Sequence, residues 1–401
     1  MELRKINISD IGKIITGKTP RTSIAENYGG NIPFLTPSDD LSRKHVVKTG
    51  KTLSSIGLEE VKNCLIPEKS ICVSCIGSDL GKVVMTNIPT VTNQQINSII
   101  VREGFDPDFI YYLMKIVGRE LNFMSKTSTA VPIINKSIFS NTEVFVPNLE
   151  NQIRIGKILS SLDDKIELNR QINDNLEQQA QALYKSWFID FEPFKDGDFV
   201  ESEFGLIPEG WKVVELGEVT KQITEKVKNR TDVKVLSPVT TGELVLSEEY
   251  FTKQVFSESI AKYITVKPLQ FAYNPARVNI GSLGMNTFEF DGCVSPVYVV
   301  FECERDYQYF FDYFRKTEAF KEEVLARAIG GVRQSLSYKD FSLIKLIYPP
   351  RTIVEKFNRL YSNILVSINH NKVEANNLTD MRDTLLPKLM SGELKINEIG
   401  C

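Results

Sequence analysis

Histidine is almost missing from this 401-residue chain, which has only His45 and His370. Triad-type nucleophilic catalysis needs a histidine set between a nucleophile and an orienting acid, and neither histidine has suitable partners near it in the sequence. Cysteine is sparse, six in all. Cys72-Val73-Ser74-Cys75 has zinc-ligand spacing, but no second such pair accompanies it and a structural zinc needs four ligands; the two thiols read as small apolar side chains in a strand. No apolar run approaches the roughly 18 residues that span a bilayer. The opening Met1-Glu2-Leu3-Arg4-Lys5 lacks the apolar core of a signal peptide, so a cytoplasmic location and no membrane partner are expected.

A strong net charge is missing too: 48 basic and 51 acidic residues leave −3. That argues against a chain coated in cations for any polyanion, but nucleic-acid binding needs only a local basic face. Arg43-Lys44, Lys221 to Lys228, and Arg327 with Arg333 are candidate clusters, though the ordinary reading of any single one is solvated surface. With 42% hydrophobic and 25% charged residues, the composition is that of a globular protein.

Gly12-Lys13-Ile14-Ile15-Thr16-Gly17-Lys18-Thr19 matches the phosphate-loop pattern. That motif works as a strand, loop and helix, with backbone amides of the helix start around the phosphates. Pro20 follows at once and Arg21 to Gly30 has no helical periodicity, so a nucleotide site is not expected. Asn274-Pro275-Ala276-Arg277 begins like the motif that holds a target amine in adenine methyltransferases, then departs from it. No cofactor is expected in this chain.

What the sequence does contain is itself, twice. Asn169, Leu176 and Leu183 recur as Asn371, Leu378 and Leu385, each pair 202 positions apart, and Phe139 falls on Phe341 at that offset. Upstream, Phe34-Leu35-Thr36-Pro37 reads like Val235-Leu236-Ser237-Pro238, and Asp10-Ile11-Gly12 like Glu215-Leu216-Gly217. A repeat this long exceeds the roughly 20–50 residues of a solenoid unit and implies two whole domains. Each half opens with strands: Asn31 to Leu35, Ser70 to Ser74 and Asn97 to Val101 in the first, Val233 to Leu236 and Val297 to Phe301 in the second. A helix is expected over Pro107 to Leu121, with Phe109, Tyr112, Leu113 and Ile116 on its core face, and another over Tyr307 to Ala328, with Phe310, Phe311, Phe314 and Phe320 as core.

From Glu150 to Ile189 the apolar stripe Ile155, Leu159, Leu162, Ile166, Asn169, Asn173, Leu176, Ala180, Leu183 and Trp187 steps by four and three, as in a coiled-coil seam. The same stripe returns as Phe357, Tyr361, Ile364, Ile368, Asn371, Ala375, Leu378, Arg382 and Leu385. A helix of about 40 residues is roughly 60 Å long and cannot bury its stripe alone. The expected fold is α+β: two pseudo-two-fold-related strand-rich domains separated by an antiparallel pair of long coiled-coil helices. The boundaries are 1–149 and 196–350 for the domains, 150–195 and 351–401 for the helical spacers. Asn169 and Asn371 are candidates to face each other and set register; two solvated asparagines is the other reading.

This plan resembles the specificity subunit of type I restriction-modification systems. Ile207-Pro208-Glu209-Gly210-Trp211, Asn93-Gln94-Gln95, Leu162-Asp163-Asp164-Lys165-Ile166, Leu183-Tyr184-Lys185-Ser186-Trp187-Phe188-Ile189-Asp190-Phe191 and Leu385-Leu386-Pro387-Lys388-Leu389-Met390 are similar to phrases of that family, in order and over nearly the whole chain. The resemblance implies a non-catalytic subunit whose two target-recognition domains each read half of a split, asymmetric site in double-stranded DNA. Its paired helices would dock two modification (methyltransferase) subunits bringing S-adenosylmethionine for adenine methylation. Restriction (motor-nuclease) subunits would supply ATP- and Mg-dependent translocation and cleavage.

On chemistry alone, polar loop residues suit DNA contact. In the first domain these are Lys18, Arg21, Ser38, Arg43, Lys44, Gln94, Gln95, Lys126, Asn135 and Lys136; in the second, Lys221, Lys226, Arg277, Asn279, Arg327, Arg333, Gln334 and Lys339. Trp187, Phe188, Phe191 and Phe194 either dock a modification subunit or cap the helix pair against the second domain. Two competing functions are a nucleotide hydrolase or nuclease, and a coiled-coil scaffold that does not bind DNA.

Overall fold

The computed structural model describes residues 1–46, 48–77, 80–125, 133–251, 256–257, 259–327 and 335–394. The chain divides into two units, one of residues 1–173 and 369–401, the other of residues 174–368.

The first unit holds two four-stranded sheets. In one, Gly12–Thr16, Ile96–Val101, Ile71–Ser74 and Val83–Met85 lie side by side, all antiparallel. In the other, Lys51–Leu53, Tyr28–Leu35, Thr90–Thr92 and Leu65–Ile66 are neighbours, and Tyr28–Leu35 runs parallel to Thr90–Thr92. The central strand Ile71–Ser74 is buried on every residue, because side chains alternate between two covered faces. Ile71 and Val73 join a core with Phe109 and Tyr112, while Cys72 turns the other way to meet Leu35, Leu41 and Ile96.

Helix Pro107–Ser125 covers the first face. Pro107 suits a first helical position, and Asp106 caps the helix by accepting from the Phe109 amide at 2.8 Å. Gly118 lets it approach the sheet, since a Cβ there would lie 2.1 Å from the carbonyl oxygen of Gly81.

The second unit repeats this topology. Thr220–Ile223, Val299–Cys303, Phe271–Tyr273 and Leu283–Met285 form one sheet, and Leu244–Leu246, Lys234–Pro238, Gly292–Val294 and Ile264–Val266 the other. Again one pair is parallel, Lys234–Pro238 with Gly292–Val294. The single helix expected over 307–328 is instead two, Gln308–Phe314 and Glu318–Arg327. The run breaks where Arg315 reaches Asp312 and the Leu283 carbonyl, and Thr317 starts the next helix by accepting from the Phe320 amide.

The spacers form helices Leu149–Phe188 and Arg351–Ser391, which pack together. In the first unit Asp163 bonds Arg382, Asn169 bonds Glu374 and Asn173 bonds Asn371. One series rises as the other falls, so the helices are antiparallel. In the second unit Trp187 and Phe188 pack on Phe357.

Two expectations for this pair are corrected. Asp163, Tyr184 and Phe188 are buried where Leu162, Leu183 and Trp187 were expected to be. Ile155, Leu159, Ile166, Asn169 and Ala180 are buried as expected; at Leu162, Leu183 and Trp187 the stripe is displaced one residue because the helix serves its own domain as well as its partner: Asp163 takes a hydrogen bond from Tyr112, and Tyr184 packs on Phe310 and Tyr313. Asn169 and Asn371 bond other residues rather than each other. Asn371 meets Asn173 at 2.9 Å; four residues back along one helix and four on along the other, Asn169 comes opposite Ala375, which has no amide. Asn169 turns to Glu374 instead, at 2.7 Å. Its own Oδ1 is left buried without a partner, beside a cavity of about 240 Å³ lined by Asn169, Asn173, Asn371 and Ala375.

Candidate nucleic-acid interface

In the first unit, backbone hydrogen bonds lace four loops together. Lys18 donates to Thr92 (2.9 Å), Asn93 to Leu35 (3.0 Å), Cys75 to Gln95 (2.8 Å) and Ile134 to Cys75 (2.9 Å). Gly17 makes the first junction possible, because a Cβ there would sit 2.2 Å from the Thr92 carbonyl oxygen. At the centre is the turn 93–96, closed by the Ile96 amide on the Asn93 carbonyl at 3.2 Å. Asn93 stiffens it, accepting from the Gln95 amide at 3.1 Å and donating to Gln95 Oε1 at 2.9 Å. Thr19 donates to Gln94 Oε1 at 2.6 Å, which orients the Gln94 carboxamide and leaves its NH₂ for an outside acceptor. Neither Thr19 nor Asn93 was anticipated; each works through its neighbour, a role that residue type does not reveal.

Lys18, Ser38, Gln94 and Lys136 are exposed on this unit, and Gln95 is half-buried. Arg21 is exposed but grips Glu60 through both Nε and Nη2, and holds that carboxyl down to about 2. Arg43 is tied to Asp40 and Glu167. The Asn135 side chain caps the helix Lys136–Asn141.

Lys44 corrects the sequence reading. Its side chain is 7% exposed, and its ammonium donates to Asp108 at 2.5 Å and Ser160 at 2.7 Å. An ammonium so enclosed and paired holds its loop to the two helices and has nothing left for DNA.

In the second unit Lys221, Lys226, Arg277 and Lys339 are exposed and Asn279 is half-buried. Lys221 stands across the ladder from Glu302, and Arg327 pairs with Glu323. Lys126, Arg333 and Gln334 lie outside the described residues. The turn 295–298, closed by the Tyr298 amide on the Ser295 carbonyl at 3.0 Å, stands at the 202-residue offset from the turn 93–96. Ser295, Pro296 and Val297 thus occupy the places of Asn93, Gln94 and Gln95, a correspondence the repeat offset alone could have exposed. Beside it lies a cavity of about 380 Å³ lined by Pro238, Tyr250, Asn274, Arg277, Ser295 and Tyr298 among others.

The aromatic cluster ending the first spacer packs inward, as the capping reading has it. Phe188 meets Trp211, Phe310 and Phe357, and Phe191 and Phe194 both pack on Trp211. Phe188 belongs to the core of the second unit, and Trp187, Phe191 and Phe194 pack against that core half-buried, so the rings cap the helices.

The phosphate-loop match is a strand, Gly12–Thr16, running into the loop at Lys18, followed by only a three-residue 3-10 turn at Ala25–Asn27 and not by an α-helix. Burial pushes the Cys72 thiol up to about 12 and Cys75 to about 11, so both stay protonated and unreactive. Among the described residues no group of three or more His, Cys, Asp or Glu could hold a metal ion, and no helix is long and apolar enough to cross a membrane.

The two units thus share one topology and carry different polar loops at the same scaffold positions. A family model described as "Type I restriction modification DNA specificity domain" matches residues 2–178. The chain is 29% identical over 410 residues to the type I restriction enzyme MjaIX specificity subunit of Methanocaldococcus jannaschii, covering 98% of this chain and 93% of that protein. It is 36% identical over 178 residues to the HindI specificity subunit of Haemophilus influenzae, covering 44% and 39% respectively. Its fold is similar to the solved type I S subunit from M. genitalium, with a TM-score of 0.57 at 16% identity over 97% of this chain and 96% of that one. The chain is thus similar along its length to a specificity subunit of a type I restriction enzyme, and its first half matches the family's DNA specificity domain.

Proposed function

We propose that each unit reads one half of a split, asymmetric DNA sequence, the paired helices setting the spacing between halves and docking two modification subunits. Those subunits bring S-adenosylmethionine and methylate an adenine in each half; motor-nuclease subunits bring ATP and Mg for cleavage. The complex works in the cytoplasm. One observation carries this reading: the same β-turn, joining the same two sheets, displays Asn93-Gln94-Gln95 in one unit and Ser295-Pro296-Val297 in the other. Equal scaffolds with unequal reading residues select unequal half-sites.

Lys18, Ser38, Gln94, Gln95 and Lys136 form the contact set of the first unit, and Lys221, Lys226, Arg277, Asn279 and Lys339 that of the second. Arg21, Arg43 and Arg327 reach phosphate only by exchanging it for their carboxylate partners, and Asn135 only by giving up its cap. Lys126, Arg333 and Gln334 complete the set on side-chain chemistry.

The test is to express the chain with its modification subunits and map methylated adenines across a genome. The expected result is one bipartite motif with two different halves. Methylation without a defined motif, or a motif that survives exchange of residues 93–95, would overturn the assignment.

A further inference from the structure

Val297 is 69% exposed and sits third in the turn 295–298, the place held by Gln95 in the turn 93–96. Pro296 before it suits the second position of such a turn and stiffens it. The cavity lined by Ser295 and Tyr298 of this turn also has Arg277, from the turn after the strand Phe271–Tyr273, in its wall. A lone exposed valine is ordinary; this one stands on the turn whose counterpart carries two glutamines. An isopropyl group can neither donate nor accept a hydrogen bond. Of the four bases, only thymine shows an apolar group, its 5-methyl, at the major-groove edge.

We infer that Val297 is a specificity-determining residue that selects thymine at one position of the second half-site by packing against its 5-methyl group. This rests on the reading that the turn faces DNA. The first unit reads the corresponding position through the Gln95 carboxamide, so the two heads use opposite chemistries at one scaffold position.

The experiment uses the chain assembled with its modification subunits and duplexes carrying its mapped site. The second half-site is the one that stays unchanged in Gln94→Ala. Each of its thymines is replaced in turn by deoxyuridine, which removes only the methyl. Replacement at one position is expected to weaken binding about fourfold, the worth of one buried methyl-sized group. Val297→Ala should erase that difference, and Val297→Gln should move the preference at that pair toward adenine. Because the side chain is exposed, these variants keep the fold, which normal binding of the first half-site verifies. Deoxyuridine without effect at every thymine, a second half-site with no A·T pair, or full discrimination retained by Val297→Ala would each overturn the inference. A complex with no sequence preference at all would instead sink the proposed function.

Discussion

Arg382 donates from Nη1 to Asp163 Oδ1 at 2.5 Å, and the other oxygen of that carboxylate accepts from Tyr112 at 2.5 Å. Three elements of the first unit meet there: the domain helix and one segment of each long helix. The guanidinium and carboxylate side chains are 12% and 8% exposed. Such a pair contributes little net stability over an apolar replacement, but removing one member strands a buried charge. Arg382→Leu is therefore expected to lower the unfolding free energy of the first unit by about 3 kcal/mol, read from its urea transition. The double variant Arg382→Leu/Asp163→Leu should lose less than Arg382→Leu alone; an equal or larger loss would show that the pair itself supplies the stability.

Ala375 opposite Asn169 leaves an amide oxygen unpartnered and a cavity beside it. Ala375→Asn copies the Asn371 to Asn173 contact. A hydrogen bond gives about 1 kcal/mol, against roughly 0.5 kcal/mol of helix propensity lost, so a small rise in melting temperature is expected. In Asn169→Ala the same substitution should give no rise, and a double-mutant cycle measures the difference.

Glu60 is held at about 2 against an ordinary 4.5, first by its side-chain hydrogen bond from Arg21. A folded-state value below the unfolded one means that this contact stabilises above pH 4.5 and is lost as pH falls toward 2. Carboxyl NMR titration should place Glu60 well below ordinary glutamates, and Arg21→Ala should return it to their range. An unmoved midpoint would mean that Arg21 is not the cause.

Gln94 and Lys136 separate reading from holding. Gln94→Ala should cost about 1–3 kcal/mol and relax one base position of the first half-site. Lys136→Ala should weaken all sequences alike and lower the salt slope by about 1. Binding measured at several salt concentrations on matched and mismatched duplexes distinguishes them, and a uniform loss in Gln94→Ala would class it as a phosphate contact.

Much of the architecture was legible in the residues. Strand and helix periodicities are local, so Ile71–Ser74, Pro107–Ser125 and the two long helices could be read from side-chain spacing. The 202-residue offset then made two alike heads and a helix pair follow. The candidate site was legible only as a set of loops: Gln94 and Lys18 stand exposed as their chemistry suggests, whereas Lys44, no less basic, is enclosed by Asp108 and Ser160.

By itself, then, the sequence determined the repeat and the two long helices, because both follow from periodicity along the chain. Tertiary structure alone decided that Arg382 in an apolar stripe answers Asp163, that Asn169 bonds Glu374 rather than Asn371, and that the rings around Trp187 turn inward on Trp211. A buried polar group or an aromatic ring is satisfied by whatever the fold brings within a few ångströms. For Arg382 and Asn169 those neighbours lie more than 200 residues away along the chain.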